Sequence, residues 1–234
     1  MNDWAIYNKM NFGIKKCATM VIRPETPLFQ NKQDPTFYLA GQAIPKTNCY
    51  TYLGIPFDKT LSLDPIINCL SSKLENSIFS ISNFLKNPRI PLPFKKTIIN
   101  SFLIGKVSYF APLLGSNKIR SKHAQKIINK ALRWSIGIHN AKSFTSLYNL
   151  TKDLNIPPLS AKCALSQAKC FNKWQHSKCI ISYIVKNICK PLNFSWSRTS
   201  STLYNKLKKH RSTNAIKIFI GMIYTKILKK RNIM

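Results

Sequence analysis

The sequence predicts an α+β fold that is mostly helical, and three observations lead to this prediction. Strand-forming residues gather in the first quarter of the chain, with the densest run at 48–58. From Ile66 onward, apolar residues recur at spacings of three and four, which is the period of an amphipathic helix. Hydrophobic residues make up 44% of the 234 residues, enough to build one or two packed cores.

The chain is strongly basic. It carries 37 Lys and Arg against 7 Asp and Glu, a formal net charge of +30. A charge of this size favours polyanionic partners, so RNA or DNA, duplex or single-stranded, is the expected partner, and an anionic membrane surface comes second. The excess is largest toward the end, because residues 154–234 contain sixteen Lys and Arg and no acid. The high apolar content excludes a disordered polar chain.

Seven cysteines are scattered along the chain, and none forms a Cys-x-x-Cys pair. An odd, scattered set favours free thiols in a reducing compartment, so we expect an intracellular protein of the nucleus or cytoplasm. The N-terminus lacks the charged-then-apolar pattern of a signal peptide. No apolar run approaches the roughly 20 residues of a membrane span, and we therefore expect no membrane partner.

The N-terminal part is predicted to mix a helix, a strand and a hairpin. Residues 1–10 have the pattern of the last turns of a helix, which Gly13 is expected to end. Cys17–Ile22 is predicted as a buried strand. Phe37–Ile44 is predicted as a short hairpin, in which Gly41 is able to adopt a positive φ.

Asn48–Asp58 gives the strongest strand signal. Its Tyr50 and Tyr52 alternate with a threonine at the strand period. Gly54 leaves a gap where another backbone is able to approach, and Pro56 limits ladder pairing to one side, which indicates an edge or a bulge. From residue chemistry alone, this segment is a surface hairpin packed on a helix.

A series of helices is predicted next. Ser62 is a candidate N-cap for the first helix, and Asn87-Pro88 ends it. A second helix is predicted from Phe94 to Phe110, and a third from Asn117 to Ile136, with Gly137 as its stop. The apolar residues expected to face the core are Ile66, Leu70, Leu74, Ile78, Ile81 and Leu85 in the first helix and Ile119, Ile127, Ala131 and Trp134 in the third. The apolar positions of the second helix include Ile98, Phe102 and Tyr109.

Helices are also predicted over Ser160–Trp174, Cys179–Cys189 and Thr213–Lys230. The polar and basic segment Pro191–Arg211 is expected to be loosely ordered. Tryptophans in this part of the chain, such as Trp174 and Trp196, are candidates for stacking on nucleic-acid bases, whereas Trp134 lies on an apolar stripe and is expected in the core.

The segment Tyr50–Asp58, with the sequence YTYLGIPFD, resembles motif E of reverse transcriptases from non-LTR (LINE-type) retrotransposons. In that family, motif E is the primer grip, a hairpin at the palm–thumb junction that holds the primer 3′ end. The resemblance implies this role for Tyr52, Leu53 and Gly54. The helix, lysine and strand before it resemble motif D, whose lysine lies near the phosphates of the incoming nucleotide. Lys16 matches that lysine.

The resemblance covers roughly residues 1–175. PLPFKKTIINSFLIGKVSYFAPLLG and KALRWSIG resemble thumb segments, and LNIPPL resembles the LGIPPL turn beyond the thumb, with Asn155 in the place of the usual Gly. The implied organisation is a palm remnant at 1–58, a helical thumb at 59–140 and a basic helical extension at 141–234. Thumb helices contact duplex backbone, which makes these residues candidates for nucleic-acid binding: Lys95, Lys96, Lys106, Lys118, Arg120, Lys122, Lys126, Lys130 and Arg133.

The catalytic carboxylates of the parent activity, RNA-directed DNA polymerisation, are missing. Polymerases hold two metal ions, Mg²⁺ in the parent enzyme, with carboxylates that the family supplies from motifs A and C, both N-terminal to motif D. The sequence has no Asp-Asp pair, and its seven acids are separated, as expected of capping and solvated residues. We therefore expect no catalytic residue, metal site or cofactor in this chain, and no polymerase activity from the chain alone.

A zinc site is also not expected. The one cluster of zinc-ligand residue types consists of Cys163, Cys170, His176 and Cys179. Zinc knuckles and fingers commonly separate their first two ligands by two to four residues, whereas six residues separate Cys163 from Cys170. These two cysteines lie two turns apart on one predicted helix face, which indicates small core residues.

The favoured interpretation is the C-terminal part of a non-LTR reverse transcriptase, shortened at its N-terminus, that positions the primer–template duplex. Two alternatives stay open. One is a non-enzymatic basic module that binds RNA or DNA, and the other is a structural partner that completes a separately encoded palm and fingers part. A Tyr-x-Asp-Asp motif in the DNA adjoining the reading frame would support the favoured interpretation.

Overall fold

The protein is described by a computed structural model, which covers residues 2–10, 13, 16–23, 33–39, 41–138, 154–180, 182–183 and 196–209. The fold is α+β and mostly helical, with two small antiparallel sheets, as predicted. The chain divides into two compact units, an N-terminal unit of residues 1–69 and a helical unit of residues 70–234. The finer division at residues 58 and 140 stays a prediction.

The N-terminal unit begins with α1 (Asn2–Tyr7), which ends earlier than predicted. Lys9 takes the left-handed conformation, with φ of 53°. The Lys9 and Met10 N–H groups donate to the carbonyls of Ile6 and Ala5, at 3.1 and 2.8 Å. This is the Schellman arrangement, so Lys9 ends the helix and the expectation for Gly13 was wrong.

The predicted buried strand Cys17–Ile22 is not formed. Its ladder contact is a single parallel bridge between Thr19 and Lys46. Around it, the Thr19 N–H donates to the Pro45 carbonyl at 2.9 Å. Ile22 is 48% exposed. A single bridge does not create a sheet that could cover the apolar side chains, so this segment is extended but not buried.

Two hairpins follow, both near their predicted positions. The first pairs β1 (Tyr38–Leu39) with β2 (Gln42–Ala43), and Gly41 between them has φ of 77°. The second pairs β3 (Cys49–Tyr52) with β4 (Ile55–Asp58). The second register places Tyr50 opposite Phe57, Thr51 opposite Pro56 and Tyr52 opposite Ile55.

The turn between β3 and β4 has two residues, Leu53 and Gly54, with φ of 48° and 77°. Two positive φ angles define the type I′ turn, which matches the twist of a hairpin. Gly54 therefore supplies turn geometry and does not open a gap within a strand, which corrects the sequence-based interpretation. Leu53 holds an unfavourable conformation for a side chain with a Cβ atom.

The helix α2 (Asp64–Ser80) is followed by the short α3 (Ser82–Lys86). The Ser62 hydroxyl accepts from the Asp64 N–H at 3.2 Å, as expected of a capping residue. The predicted apolar stripe is buried, except that Ile81 is half-buried at the break between the two helices. The chain then turns at Asn87, whose extended conformation fits its place before a proline.

One continuous helical stretch runs through α4 (Leu92–Ile98), a π-helical turn (Ile99–Ile104) and α5 (Gly105–Leu114). The wide π turn places the adjacent Leu103 and Ile104 on the buried side. Three apolar residues of this stretch are not in the core, because Phe102 and Tyr109 are exposed and Ile98 is half-buried. The side chains that fill the core are Ile99, Leu103, Ile104, Val107, Phe110, Ala111 and Leu114.

By length and composition, this stretch could also span a membrane, with a mean hydropathy of 1.3 over its apolar window. Among the helices that the structure describes, it alone meets these criteria. The expectation that no run approaches that length was therefore wrong. The whole stretch includes Lys95, Lys96 and Lys106, and 39% of its apolar 18-residue window is buried inside the protein. A core helix of a soluble protein meets the same criterion.

The basic helix α6 (Lys118–Ser135) begins and ends as predicted. Asn117 caps it, because its side-chain oxygen accepts from the Ile119 N–H at 2.9 Å. At the other end, Gly137 has φ of 82°, and the N–H groups of Gly137 and Ile138 close a Schellman motif. Ile119 is 80% exposed, so its predicted place in the core was wrong.

Two further helices, α7 (Leu159–His176) and α8 (Trp196–Lys209), complete the described structure. Asn155 has φ of 50°, a left-handed conformation that glycine and asparagine adopt more readily than other residues. Residues 196–209 are helical, so the predicted loose segment was wrong over that range. Most of the helix predicted at Cys179–Cys189, and all of that at Thr213–Lys230, lies outside the described residues.

Helix α7 packs on both α5 and α8, and buried Gln167 joins these elements. Its side-chain nitrogen donates to the hydroxyls of Ser200 and Thr199, at 2.8 and 3.1 Å. Its oxygen accepts from the Ser116 N–H at 3.2 Å. Because every one of these groups is at least partly withdrawn from water, the glutamine specifies one arrangement of the helices.

Candidate nucleic-acid interface

Helix α6 presents a row of lysines to solvent. Lys122, Lys126 and Lys130 are spaced by four residues, share one helix face, and are all exposed. The opposite face is buried through Ala124, Ile128 and Leu132, among other residues. The core therefore fixes the direction in which the lysines point. We call these three residues the lysine row.

Two aromatic rings position the ammonium group at the end of this row. The Lys130 Nζ atom lies 4.8 Å from the centroid of the Trp134 ring and 5.4 Å from that of Phe79. The Lys86 Nζ atom lies 4.5 Å from the centroid of the same Trp134 ring. These are cation–π distances, and they bring two ammonium groups close to one indole. The pairing of like charges favours an anion nearby.

Few acids oppose this positive surface. The helical unit contains two acids by sequence, Glu75 and Asp153, and the structure describes the first. The Glu75 Oε1 atom is 2.8 Å from the His123 Nε2 atom, so its carboxylate is engaged beside the lysine row. No lysine of the row forms a salt bridge with another described residue. The row is thus available to external phosphates.

The other predicted phosphate contacts are placed differently. Lys95 is 4% exposed, and its Nζ atom donates to the Ser135 carbonyl at 3.2 Å. Lys106 donates to the Ser77 hydroxyl and lies over the Phe102 ring at 4.3 Å. Of the rest, Lys118 is exposed, whereas Lys96, Arg120 and Arg133 are half-buried. The two-helix basic surface expected from the sequence is concentrated on α6.

Sequence reasoning missed Lys86 and Phe79. Lys86 is separated by 48 positions from the tryptophan that it contacts, and Phe79 by 51 from Lys130. No spacing pattern within one helix could reveal either contact. Trp134 was expected in the core and is indeed 7% exposed. Trp174 contacts Trp196, with ring centroids 5.9 Å apart, and the Trp196 Nε1–H donates to the Pro112 carbonyl at 2.8 Å. Trp196 thus has a structural role.

The motif-like residues of the N-terminal unit lie side by side. The Tyr50 hydroxyl donates to the Lys16 carbonyl at 3.2 Å, which joins the predicted motif D lysine to the predicted primer-grip hairpin. The side chains of Lys16, Tyr52 and Leu53 are exposed, Leu53 to 73%. The hairpin tip therefore offers an aromatic ring, an aliphatic side chain and a glycine backbone to a partner.

The pKa values of one acid, one thiol and one lysine are shifted by burial and hydrogen bonding. Burial acts to raise the pKa of Asp58, but hydrogen bonds from the Ser62 N–H and from the hydroxyls of Thr60 and Ser62 outweigh it and lower the pKa. Burial raises the pKa of the Cys163 thiol to about 12, against a smaller opposing effect of Lys162. The same burial lowers the pKa of Lys162.

A protonated, buried thiol is a poor nucleophile and a poor metal ligand. Within the described residues, no three His, Cys, Asp or Glu side chains converge as a metal site. Cys163 is fully buried on α7, Cys170 is half-buried two turns later, and Cys179 is exposed. The His176 Nδ1 atom hydrogen-bonds to the carbonyl of Asn172, at 2.8 Å.

No protein-family model matches the chain, and neither a curated protein nor a solved structure matches it. The resemblance to reverse transcriptases therefore stands on the motifs at 13–22, 50–58, 91–137 and 154–159. The predicted roles of these segments stay predictions.

Proposed function

We propose that this chain is the duplex-binding C-terminal part of a non-LTR reverse transcriptase. In this proposal, the lysine row on α6 holds the sugar–phosphate backbone, and the β3–β4 hairpin tip contacts the primer end. The observation that carries the proposal is the lysine row, exposed on a rigid helix in a unit with very few acids. Contacts of lysine with phosphate are independent of base sequence.

Salt dependence tests the lysine row. Each lysine that neutralises a phosphate releases counterions, so the logarithm of the binding constant falls with that of salt by roughly 0.9 per contact. Changing Lys122, Lys126 and Lys130 to Gln should therefore reduce the slope by about 2 to 3 and weaken binding roughly hundredfold at 0.1 M salt. Fluorescence anisotropy with labelled duplexes of two unrelated sequences measures both quantities.

The matched control changes Lys173, Lys178 and Lys206 to Gln. These three lysines are exposed on other parts of the helical unit, so the variant has the same net charge. We expect the control to retain most of the affinity. Equal losses in the two variants would show that the chain binds only as a diffuse polycation and would refute the role of the lysine row.

A second measurement separates a polymerase fragment from a plain basic module. A primer grip should favour a duplex with a recessed primer 3′ end over a blunt duplex of equal length. Changing both Tyr52 and Leu53 to Ser should abolish this preference without altering the salt slope. Equal binding of the two duplexes by the unchanged protein would favour the non-enzymatic basic module.

A further inference from the structure

A cavity of about 520 Å³, partly open to solvent, lies beside the end of α6. Its walls come from Lys86 and Lys95, from residues 135–137, and from the apolar residues Pro88, Ile90, Pro91 and Leu92. The volume is within the range of small-molecule sites. Most of the lining is apolar, and the lysines are its charged groups; small-molecule sites commonly combine apolar walls with a few polar or charged groups that orient the ligand.

Lys95 is the unusual member of this lining. It is 96% buried, yet its ammonium group has a single hydrogen bond among the described residues, to the Ser135 carbonyl at 3.2 Å. A lysine ammonium has three N–H donors. Buried charges in proteins are normally paired with an opposite charge, because removing an unpaired ion from water is costly.

The protein does not supply that opposite charge within the part that the structure describes. Lys95 forms no salt bridge there, and the one described carboxylate of the helical unit, on Glu75, is engaged by His123. The helix end at the cavity wall is also largely satisfied, since the carbonyls of Arg133 and Trp134 accept from the Schellman N–H groups. The remaining donor capacity of Lys95 is therefore available to an external anion.

Lys86 adds a second cation and connects the cavity to the lysine row. Its ammonium group lies over the Trp134 ring, at 4.5 Å from the centroid, and Lys130 contacts the same ring. An anion in the cavity would therefore be close to the path expected for a bound strand. Pro88, Ile90 and Pro91 provide apolar walls suited to the face of a base or sugar.

We propose that this cavity binds a nucleoside monophosphate group, with the phosphate at Lys95 and Lys86 and the nucleoside against the proline-rich wall. The group is either a free nucleotide or the 5′-phosphorylated end of a strand. This inference goes beyond backbone binding by the lysine row, because it requires a pocket that recognises phosphate and nucleoside together.

Isothermal titration calorimetry with AMP and with adenosine tests the proposal on the full chain. We expect AMP to bind at least about tenfold more tightly than adenosine, since the free energy of a hydrogen bond to a charged group corresponds to roughly a tenfold change in affinity. Inorganic phosphate should bind more weakly than AMP because it lacks the nucleoside. Equal binding of AMP and adenosine, or of AMP and phosphate, would refute the proposal.

The decisive variant is Lys95→Met, which removes the charge and keeps the length of the side chain. It should lower AMP affinity at least about tenfold, while the thermal midpoint stays unchanged or rises because an unpaired buried ion is lost. Unchanged AMP affinity in this variant would show that Lys95 only caps the end of α6. If Lys95→Met does not fold, Lys86→Gln gives the same readout, and unchanged affinity there refutes the site.

Two comparisons complete the test. The control with Lys173, Lys178 and Lys206 changed to Gln should bind AMP like the unchanged chain, and an equal loss would indicate diffuse charge. The second comparison measures how well single strands displace bound AMP. If a 5′-phosphorylated strand displaces AMP better than its unphosphorylated counterpart, the end of a strand is identified as the source of the phosphate. Lys95→Met should leave the salt slope of duplex binding unchanged, so failure of this site and failure of duplex binding are distinguishable.

Discussion

The N-terminal unit and the helical unit are built on different physical principles. Residues 1–69 carry seven Lys and Arg against five acids, whereas residues 70–234 carry thirty against two. The net charges are therefore +2 and +28. Nearly all of the buried apolar side chains described also lie in the helical unit, and the N-terminal unit contributes Ala5, Pro56 and Ile66.

Under the proposed function, this difference predicts two modes of recognition in one chain. The helical unit has a close-packed core that orients long cationic side chains, which suits non-specific attraction to phosphate. The N-terminal unit is held by turns and short ladders, and it exposes aromatic side chains such as Tyr38 and Tyr52. Exposed aromatic side chains suit short-range contact, with the geometry set by the hairpins. The first mode should be sensitive to salt and the second should not.

The largest expected effect is on core packing. Leu132 is fully buried on α6, and Leu132→Ala should lower the free energy of unfolding by about 3 to 4 kcal/mol. The matched change in the N-terminal unit, Ile22→Ala, removes a half-exposed side chain and should cost less than about 1 kcal/mol. Urea unfolding followed by circular dichroism measures both. Similar losses would contradict the assignment of the main core to the helical unit.

The next effect concerns Gly115, which ends α5 at φ of 63°. A Cβ atom there would lie 2.6 Å from the Gln167 Oε1 atom, and Gln167 is held by Ser200 and Ser116. Gly115→Ala should therefore cost about 2 to 3 kcal/mol through both strain and clash. Gly137→Ala is the control, because its φ is similar but no atom lies within 4 Å of the added Cβ. Its cost should be about 1 kcal/mol.

Features that depend on residues close together in the sequence were predicted, whereas features that depend on packing between distant segments were not. The two hairpins, the Ser62 capping residue and the Gly137 stop depend on neighbouring residues, and all were predicted. The orientation of the Leu92–Leu114 stretch was not predicted, because it is apolar on more than one face and contains a π turn. Phe102 is apolar but exposed, whereas Lys95 was expected to bind phosphate at the surface and is buried.

Helix α8 was missed for a different reason. Its composition is polar and basic, but Trp196, Ser200 and Leu203 recur at helical spacing, and these residues are buried or half-buried. That periodicity was visible in the sequence. The contacts of Lys86 and Lys130 with Trp134 were not, because they join separate helices.

A smaller effect is expected at the hairpin tip. Leu53 has φ of 48° and makes the turn with its side chain 73% exposed, so Leu53→Gly relieves backbone strain. The variant should stabilise the N-terminal unit by up to about 1 kcal/mol, measured by hydrogen exchange of the β3–β4 amides. It should also weaken binding to a recessed primer end if the leucine contacts it. Slower exchange with unchanged binding would assign Leu53 a purely structural role.

Near neutral pH the smallest effect is expected from a pH dependence of the helical unit that arises from Cys163. Burial raises the pKa of this thiol to about 12 from an ordinary value of 9.0, so the folded state resists its ionisation. The associated stability is fully present below pH 9 and is lost as pH rises from 9 toward 12. The loss should be about 0.4 kcal/mol at pH 9, because the unfolded thiol is then half ionised, and about 1.4 kcal/mol at pH 10.

The Cys163→Ala variant tests this pH dependence. It should lower stability at neutral pH but reduce the fall of the unfolding free energy with pH by these amounts. Cys49→Ala, which removes an exposed thiol of the N-terminal unit, controls for the loss of a thiol as such. Parallel curves for Cys163→Ala and the unchanged chain between pH 7 and 10 would show that Cys163 is not buried in the way that the structure places it.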